Sequence, residues 1–207
     1  YAGHARYGTG PDFDPIESTA ENFVIGVGAP QHLSGELEPG YDPHMNQILR
    51  GVPNDLITRR FDAPASLVFA ALTTPEHVRR WWGWSSSEMI VCDIDLRVGG
   101  RWRYVVRDEH GSEFGWHGEY TELDAPGRMV SSEVFEGFPD AASLNTTTLT
   151  EADGVTTLTT LAQHTCREHR DGHLEAGMEA GMQHTFDRLQ VLLAEQGSVA
   201  GRYRRVA

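Results

Sequence analysis

The feature that most constrains this chain is a long stretch of alternating side chains followed by a single amphipathic helix. Residues 89–164 alternate between apolar and polar side chains and are interrupted by Gly-rich turns. From about residue 170 onward, apolar residues recur at steps of three and four instead. Alternation predicts antiparallel strands with one dry face, and the later spacing predicts a helix with one apolar stripe. The apolar face of the sheet and the apolar stripe of the helix must both be buried away from water. The sequence therefore predicts an α+β fold in which the helix packs on the sheet.

Turn residues divide the chain into seven predicted strands, at 56–61, 89–96, 101–106, 114–120, 128–135, 144–150 and 155–164. Two short helices are predicted after the first strand, one beginning at Pro64 with Asp62 as its cap and one over 75–82. The longest helix is predicted over 170–196. Gly177 and Gly181 each lower the propensity of that helix by about 1 kcal/mol, which indicates either close approach to the sheet or room left for a ligand.

Size and charge narrow the classes of function. The chain has 207 residues, which suits one domain with an appendage and is short for two full domains. All seventeen basic residues are Arg, and thirty acidic residues bring the net charge to −13. This acidity argues against nucleic acid and anionic membranes as partners, and no apolar run approaches the ~20 residues that a membrane span needs. The absence of Lys excludes Schiff-base chemistry and lysine-dependent phosphate loops.

The two cysteines bear on the redox compartment. Cys92 and Cys166 are too few and too far apart in sequence for a disulfide framework or a structural zinc site. We therefore predict free thiols in a cytoplasmic protein. The alternative is a single bridge between the two.

The first 44 residues differ in amino-acid composition from the rest of the chain. Residues 1–44 contain seven Gly and five Pro, and one Arg against seven acidic residues. We interpret them as an extended N-terminal arm, followed by one domain over 45–197 and a flexible tail over 198–207. Because His-Met at 44–45 is what a common cloning site encodes, the arm is read as a processed remnant or a vector-encoded leader, the alternative being a native extension. Its one apolar run, 23–27, could pair with the domain as an edge strand.

Five short motifs occur in a recognisable order. They are Phe61-Asp62-Ala63-Pro64; Thr74-Pro75-Glu76-His77 leading into Arg80-Trp81-Trp82-Gly83; Asp95-Leu96-Arg97-Val98-Gly99-Gly100-Arg101-Trp102; Gly118-Glu119-Tyr120; and Gly177-Met178-Glu179-Ala180-Gly181-Met182 with Asp187-Arg188-Leu189. Over residues 54–196 they resemble bacterial relatives of the heat-shock-protein ATPase activator C-terminal domain, in the START-like SRPBCC superfamily. The resemblance implies a helix-grip fold, in which a curved antiparallel sheet of about six or seven strands wraps around the C-terminal helix. It also implies a deep cavity that the superfamily uses for lipids, polyketides, hormones and other apolar molecules, but no general catalytic signature.

Aromatic and methionine side chains gather in the segments that would line or close such a cavity. The candidate ligand-binding residues are Trp81, Trp82, Trp84, Met89, Trp102, Tyr104, Phe114, Trp116, Tyr120, Phe135, Phe138, Met178, Met182 and Phe186. The alternative is that these side chains fill the core, which weighs most for Trp81 and Trp102 because relatives with unrelated ligands share their motifs. Alternation places His117 and Glu119 on the opposite face, so a catalytic pair of these two is not expected.

The only dense cluster of potential metal ligands consists of His164, at the end of the last predicted strand, and Cys166, His169 and His173 in the connection after it. Thiolate and imidazole suit zinc, but the spacing matches neither a compact finger nor an HExxH pattern. We interpret the cluster as a solvated loop with incidental histidines, and expect no metal and no cofactor. Asp187 lies off the apolar stripe of the last helix and is expected to face solvent.

These observations support several functions. The first is binding or sequestration of a small apolar or aromatic molecule by a monomer or weak homodimer, which makes the chain a binding protein rather than an enzyme. The second is an enzyme like a polyketide cyclase or aromatase, which requires at least one titratable residue pointing into the cavity. The resemblance implies two more: a self-resistance protein that binds a toxic natural product, and a protein that interacts with a chaperone ATPase.

Overall fold

The computed structural model describes residues 23–27, 54–175 and 178–203, with side-chain surroundings for 54–175 and 181–197. The strands in this part of the chain are β1 (Phe23–Val27), β2 (Asn54–Phe61), β3 (Glu88–Ile94), β4 (Arg101–Arg107), β5 (Glu113–Asp124), β6 (Arg128–Phe135), β7 (Ser143–Ala152) and β8 (Val155–His164). The helices there are α1 (Ala65–Thr73), α2 (Pro75–Trp81), α3 (Arg167–Glu175) and α4 (Met178–Tyr203).

The strands form one antiparallel sheet in the order β1-β2-β8-β7-β6-β5-β4-β3. The chain leaves β2 through α1 and α2, enters at the far edge with β3, and returns by successive pairings to β8, which lies beside β2. This confirms the predicted helix-grip α+β fold. The apolar run at 23–27 pairs with β2 and forms the edge strand that its sequence suggested.

The turn between β7 and β8 follows directly from its sequence. Asp153 and Gly154 have φ angles of 52° and 79°, both in the left-handed region. Two such residues in succession form the tight hairpin turn whose twist matches that of the flanking strands. The hairpin that Asp153-Gly154 predicted is therefore present, with Ala152 opposite Val155.

Helix α4 covers the inner face of the sheet with its apolar stripe. Phe186, Leu189, Leu192 and Leu193 are buried and belong to the same core cluster as Phe61 of β2, whose ring meets that of Phe186 at 5.9 Å. Burying an aliphatic or aromatic side chain of this size contributes about 1.5–3 kcal/mol. Helix packing on the dry face of the sheet, predicted from periodicity, is confirmed.

Two local features differ from the sequence prediction. Asp62 makes no cap hydrogen bond to α1; instead the backbone N–H of Ala65 donates to Oε2 of Glu151 on β7, at 2.8 Å. The helical segment begins earlier than the predicted 170–196, at Arg167, and extends to Tyr203 over the described ranges Arg167–Glu175 and Met178–Tyr203, while Gly177 lies outside the described residues. Helix α3 buries none of its residues. An added Cβ at Gly181 would meet no atom within 4 Å, so close packing does not explain that glycine.

None of the helices in the described ranges is both long and apolar enough to cross a bilayer.

Both cysteines are free, so the single-bridge alternative is not realised. Cys92 is buried on β3, whereas Cys166 is half-buried after β8. Burial raises the pKa of the Cys92 thiol from 9.0 to about 11, and the nearby Arg79 only partly opposes this rise.

We expect native Cys92 to resist alkylation by iodoacetamide at neutral pH while Cys166 reacts. A pKa near 11 lowers the reactive thiolate fraction of Cys92 by about 100-fold relative to its ordinary value, and burial slows access further. Mass spectrometry of tryptic peptides after timed labelling measures both rates. Labelling in denaturant is the control, since both thiols should then react alike; equal rates in the native protein would contradict the buried position of Cys92.

Candidate functional site

A group of aromatic rings on the inner side of the sheet, which we call the aromatic wall, consists of Tyr104 on β4, Trp116 on β5, Phe135 at the end of β6, and Trp82 just after α2. Strand alternation turns Tyr104 and Trp116 inward, where they are directly opposite each other in register. The Trp82 ring lies 4.8 Å from Trp116 and 5.3 Å from Tyr104, and Phe135 lies 5.1 Å from Trp116. Although they point inward, Trp82, Trp116 and Phe135 are only half-buried. Part of each of these three rings is therefore left uncovered by the rest of the fold.

Most of the candidate lining residues, including three members of the aromatic wall, belong to the core or pack against it. The core holds Trp81, Trp102, Tyr104, Tyr120 and Phe186 as buried members, and Trp82, Met89, Trp116 and Met182 pack against it. Trp84 and Phe114 form a separate pair with ring centroids 5.5 Å apart. The side chain of Met178 lies outside the described residues.

Two of the candidates lie at opposite extremes of exposure. Phe138 is 69% exposed in the turn after β6, where its backbone N–H donates to the carbonyl of Phe135. Trp81 is buried and donates from Nε1 to the carbonyl oxygen of Ala71 at 2.9 Å. This bond joins α2 to α1, which supports the alternative that Trp81 is part of the core.

Two tyrosines place hydroxyl groups inside the core beside the aromatic wall. Burial raises the pKa of Tyr120 to about 12 and raises that of Tyr104 well above its usual value. Both phenols therefore stay protonated at physiological pH and can donate hydrogen bonds but cannot act as bases.

A second part of the inner face is polar. Register places Glu133, Ser143 and His164 in one row across β6, β7 and β8. Asn145 and Asp55 lie in the next row, with Ala162 between them. Nδ2 of Asn145 donates to Oε2 of Glu133 at 3.1 Å. Burial raises the pKa of the Glu133 carboxyl, and the charges of His173 and His164 and the bond from Asn145 only partly oppose that rise.

At one end of this polar region lies a group that we call the Asp-His-His cluster: Asp55, His164 and His173. The Asp55 side chain is completely buried, and its Oδ2 lies 3.0 Å from Nε2 of His164. Nδ1 of His173, from α3, lies 3.9 Å from the same oxygen, beyond hydrogen-bond distance. Burial alone would raise the pKa of Asp55, but its interactions with the two imidazoles outweigh burial, so the pKa is lowered.

The sequence interpretation of the histidine segment is wrong in part. His164, at the end of β8, is buried on the inner face, and His173 approaches it from helix α3 rather than lying in a solvated loop, with ring centroids 5.2 Å apart. Cys166 and His169 are not members of the cluster; Nδ1 of His169 instead lies 2.7 Å from the Thr165 hydroxyl.

Sequence reasoning did not single out Asp55, Glu133 or Asn145. The alternation of Ile57, Arg59 and Phe61, extended two residues back along β2, would have turned Asp55 inward. Its partner His164 is 109 residues away in the chain, a separation that local patterns do not bridge.

The outward residues behave as predicted, with one exception. His117 and Glu119 lie on the outer face, each with its side chain 47% exposed. Asp187, expected to face solvent, instead accepts a hydrogen bond at 2.6 Å on Oδ1 from Nη2 of Arg59, whose side chain is 7% exposed on the inner face. This ion pair joins α4 to β2.

Solved structures similar to this chain come from several bacteria. Protein Ms6760 from Mycobacterium smegmatis is 29% identical, with a TM-score of 0.61, and the match covers 68% of this chain and 90% of that one. A protein from Rhodobacter sphaeroides is 27% identical, with a TM-score of 0.64 and coverage of 69% and 93%. Protein NE0264 from Nitrosomonas europaea is 25% identical, with a TM-score of 0.64 and coverage of 70% and 96%. A comparison with curated protein sequences found no significant match.

The family model described as Activator of Hsp90 ATPase homolog 1-like protein matches residues 62–194. The matched region begins after β2, contains α1, α2 and strands β3 to β8, and ends within α4. It includes the aromatic wall, together with Glu133, His164 and His173. The chain therefore belongs to the Activator of Hsp90 ATPase homolog 1-like protein family.

Proposed function

We propose that the protein binds a small aromatic or largely apolar molecule between the aromatic wall and helix α4. The observation that carries the proposal is the partial exposure of Trp82, Trp116 and Phe135, although all three rings face the interior. Large aromatic side chains left half-covered inside a fold are typical of a ligand-binding surface. Proteins of this fold commonly bind hydrophobic ligands, which agrees with this reading.

The neighbouring polar groups indicate what else the ligand would carry. Glu133 and Asn145 lie on the same inner face and bond to each other. Such a small polar set beside aromatic faces fixes the orientation of a ligand through one or two hydrogen bonds. A flat ring system bearing hydroxyl or carbonyl groups, as in aromatic polyketides, matches both parts of the surface.

Replacing Trp116 by Ala is expected to weaken binding of such molecules about ten-fold or more, because loss of one aromatic contact of about 1.4 kcal/mol changes affinity ten-fold. The measurement is a thermal-shift screen of aromatic metabolites, followed by titration of the best binder with wild type and variant. The 69% exposed Phe138 offers the matched control, since Phe138→Ala should leave affinity unchanged. Two results would contradict the proposal. One is that no compound in the panel stabilises the wild type or the Trp116→Ala variant, and the other is that Trp116→Ala and Phe138→Ala lose equal affinity.

A second candidate is proton transfer on the bound molecule, as in a polyketide cyclase. The observation that favours it is Glu133, an inward carboxyl that accepts a hydrogen bond from Asn145 and whose pKa is raised by burial. Mass spectrometry of the bound compound distinguishes the two functions. A ligand recovered unchanged after long incubation supports binding alone, whereas conversion that requires the folded protein supports catalysis.

A further inference from the structure

The Asp-His-His cluster lies beside the proposed ligand surface and is not needed for it. We propose that Asp55, His164 and His173 bind a divalent transition-metal ion, with Zn²⁺ as the best match. This goes against the expectation from sequence that the chain holds no metal. It does not depend on the proposed function, because the metal can be measured without any organic ligand.

The donor atoms already lie close together. One donor atom from each residue can be chosen so that all three are within 4.8 Å of one another. The distances to Oδ2 of Asp55 are 3.0 Å from Nε2 of His164 and 3.9 Å from Nδ1 of His173. Ligands held at about 2.1 Å from zinc in tetrahedral geometry lie about 3.4 Å apart. The distances to Asp55 lie on either side of that value, so small side-chain rotations would bring the donors around one ion.

Two polar atoms in the cluster lack partners. Oδ1 of the fully buried Asp55 and Nδ1 of His173 make no hydrogen bond with any residue in the described part of the chain. An unpartnered buried carboxylate oxygen is costly, and such atoms are rare in folded proteins. A bound cation would compensate the carboxylate and would give His173 Nδ1 a partner. An ion pair between Asp55 and His164 alone leaves both atoms unpartnered.

The chemistry of the donors selects the kind of ion. Two imidazole nitrogens and one carboxylate oxygen suit zinc and neighbouring transition metals, whereas Mg²⁺ and Ca²⁺ prefer all-oxygen sites. Three protein ligands leave at least one coordination position open, as in catalytic rather than structural zinc sites. The His173 side chain is 37% exposed, which provides a way in for the ion.

The test uses the full chain, stripped of metal with a chelator and free of any histidine tag. Isothermal titration with Zn²⁺ and elemental analysis after dialysis give affinity and stoichiometry, and Co²⁺ replaces Zn²⁺ for absorption spectroscopy. We expect one equivalent of Zn²⁺, a melting temperature that rises with Zn²⁺ concentration, and a Co²⁺ spectrum without a thiolate charge-transfer band.

The variants separate a metal site from incidental surface binding. His173→Gln is the main variant, because His173 is half-buried on a helix that buries none of its residues, and the fold should survive. It is expected to weaken Zn²⁺ binding by at least about 100-fold, more than loss of a second-shell group would. His169→Gln, four residues earlier on the same helix, is the matched control and should bind like wild type. Asp55→Asn should also lose the ion, and circular dichroism checks its fold.

Three results would overturn the proposal: substoichiometric binding by wild type, unchanged affinity in His173→Gln, or an equal loss in His169→Gln. If Asp55→Asn does not fold, His173→Gln decides. Failure here leaves the ligand proposal standing, since that proposal is tested through Trp116.

Discussion

Replacing Gly118 by Ala is expected to lower the free energy of unfolding by about 3 kcal/mol, at the upper end of the range for an overpacked core. A Cβ at position 118 would overlap the carbonyl oxygen of Ser132 on the neighbouring strand and would lie 2.7 Å from Nε1 of Trp102. Gly118 pairs directly with Trp102, so the indole lies across the bare backbone. Because the nearest atom belongs to a backbone inside the sheet, the clash cannot be relieved by rotating a flexible side chain.

Urea denaturation followed by circular dichroism measures this effect, and an unchanged m-value keeps the comparison valid. Gly172→Ala is the control, because a Cβ there meets no atom within 4 Å and lies within helix α3. It is expected to stabilise the protein by about 0.5–1 kcal/mol, through helix propensity and a less flexible unfolded chain. If Gly118→Ala lowers the free energy of unfolding by less than about 1 kcal/mol, β5 and β6 can separate easily at this point. That result would contradict the close packing of Gly118 against Ser132 and Trp102.

Replacing Asp187 by Ala is expected to cost about 3 kcal/mol or more of stability. Its partner Arg59 has a side chain only 7% exposed, and Nε and Nη1 of that guanidinium have no hydrogen-bond partner among the described residues. Removing the carboxylate would leave a buried positive charge without compensation, which typically costs about 3–5 kcal/mol. Denaturant unfolding of wild type and variant measures the loss.

Helix α4 supplies its own control. Glu195 pairs with Arg80 at the same 2.6 Å distance, but these two side chains are 55% and 52% exposed. Since water screens such a pair, Glu195→Ala is expected to cost less than about 1 kcal/mol. Equal losses in the two variants would show that burial of Arg59 is not what gives the Asp187 pair its strength. The double variant Arg59→Met, Asp187→Leu is expected to recover most of the lost stability, because no buried charge then remains.

Local patterns were enough to predict most of the sheet. Strands β6 and β8 have the predicted bounds, and Asp153-Gly154 forms the predicted hairpin turn. The alternation in β4 and β5 predicted that Trp102, Tyr104 and Trp116 point inward, because successive side chains of a strand point to opposite faces. Periodicity also identified the stripe of α4 that packs on the sheet.

The candidate site was predicted only in part. Most of the aromatic residues proposed as cavity lining are in the core or against it, because apolar alternation reports which face of a strand is dry. The same signal cannot say whether a residue near the end of a strand stays covered, and Phe138, in the turn after β6, is exposed. The inward acidic residues Asp55 and Glu133 were missed, since a polar residue on a dry face breaks the pattern used to find that face.

The one-dimensional pattern was sufficient to establish the α+β class, the positions of most strands and the apolar stripe of α4, because these depend on contacts between near neighbours and on which face of an element avoids water. The charged pairs with the largest expected effects on stability and on metal binding depend on three-dimensional packing. Arg59 meets Asp187 across 128 residues, and Asp55 meets His164 across 109. The order and register of the strands determine which residues form such pairs. Both depend on how the complete sheet packs with α4. For the same reason a histidine segment that looked like a solvated loop contributes two side chains to a buried Asp-His-His cluster.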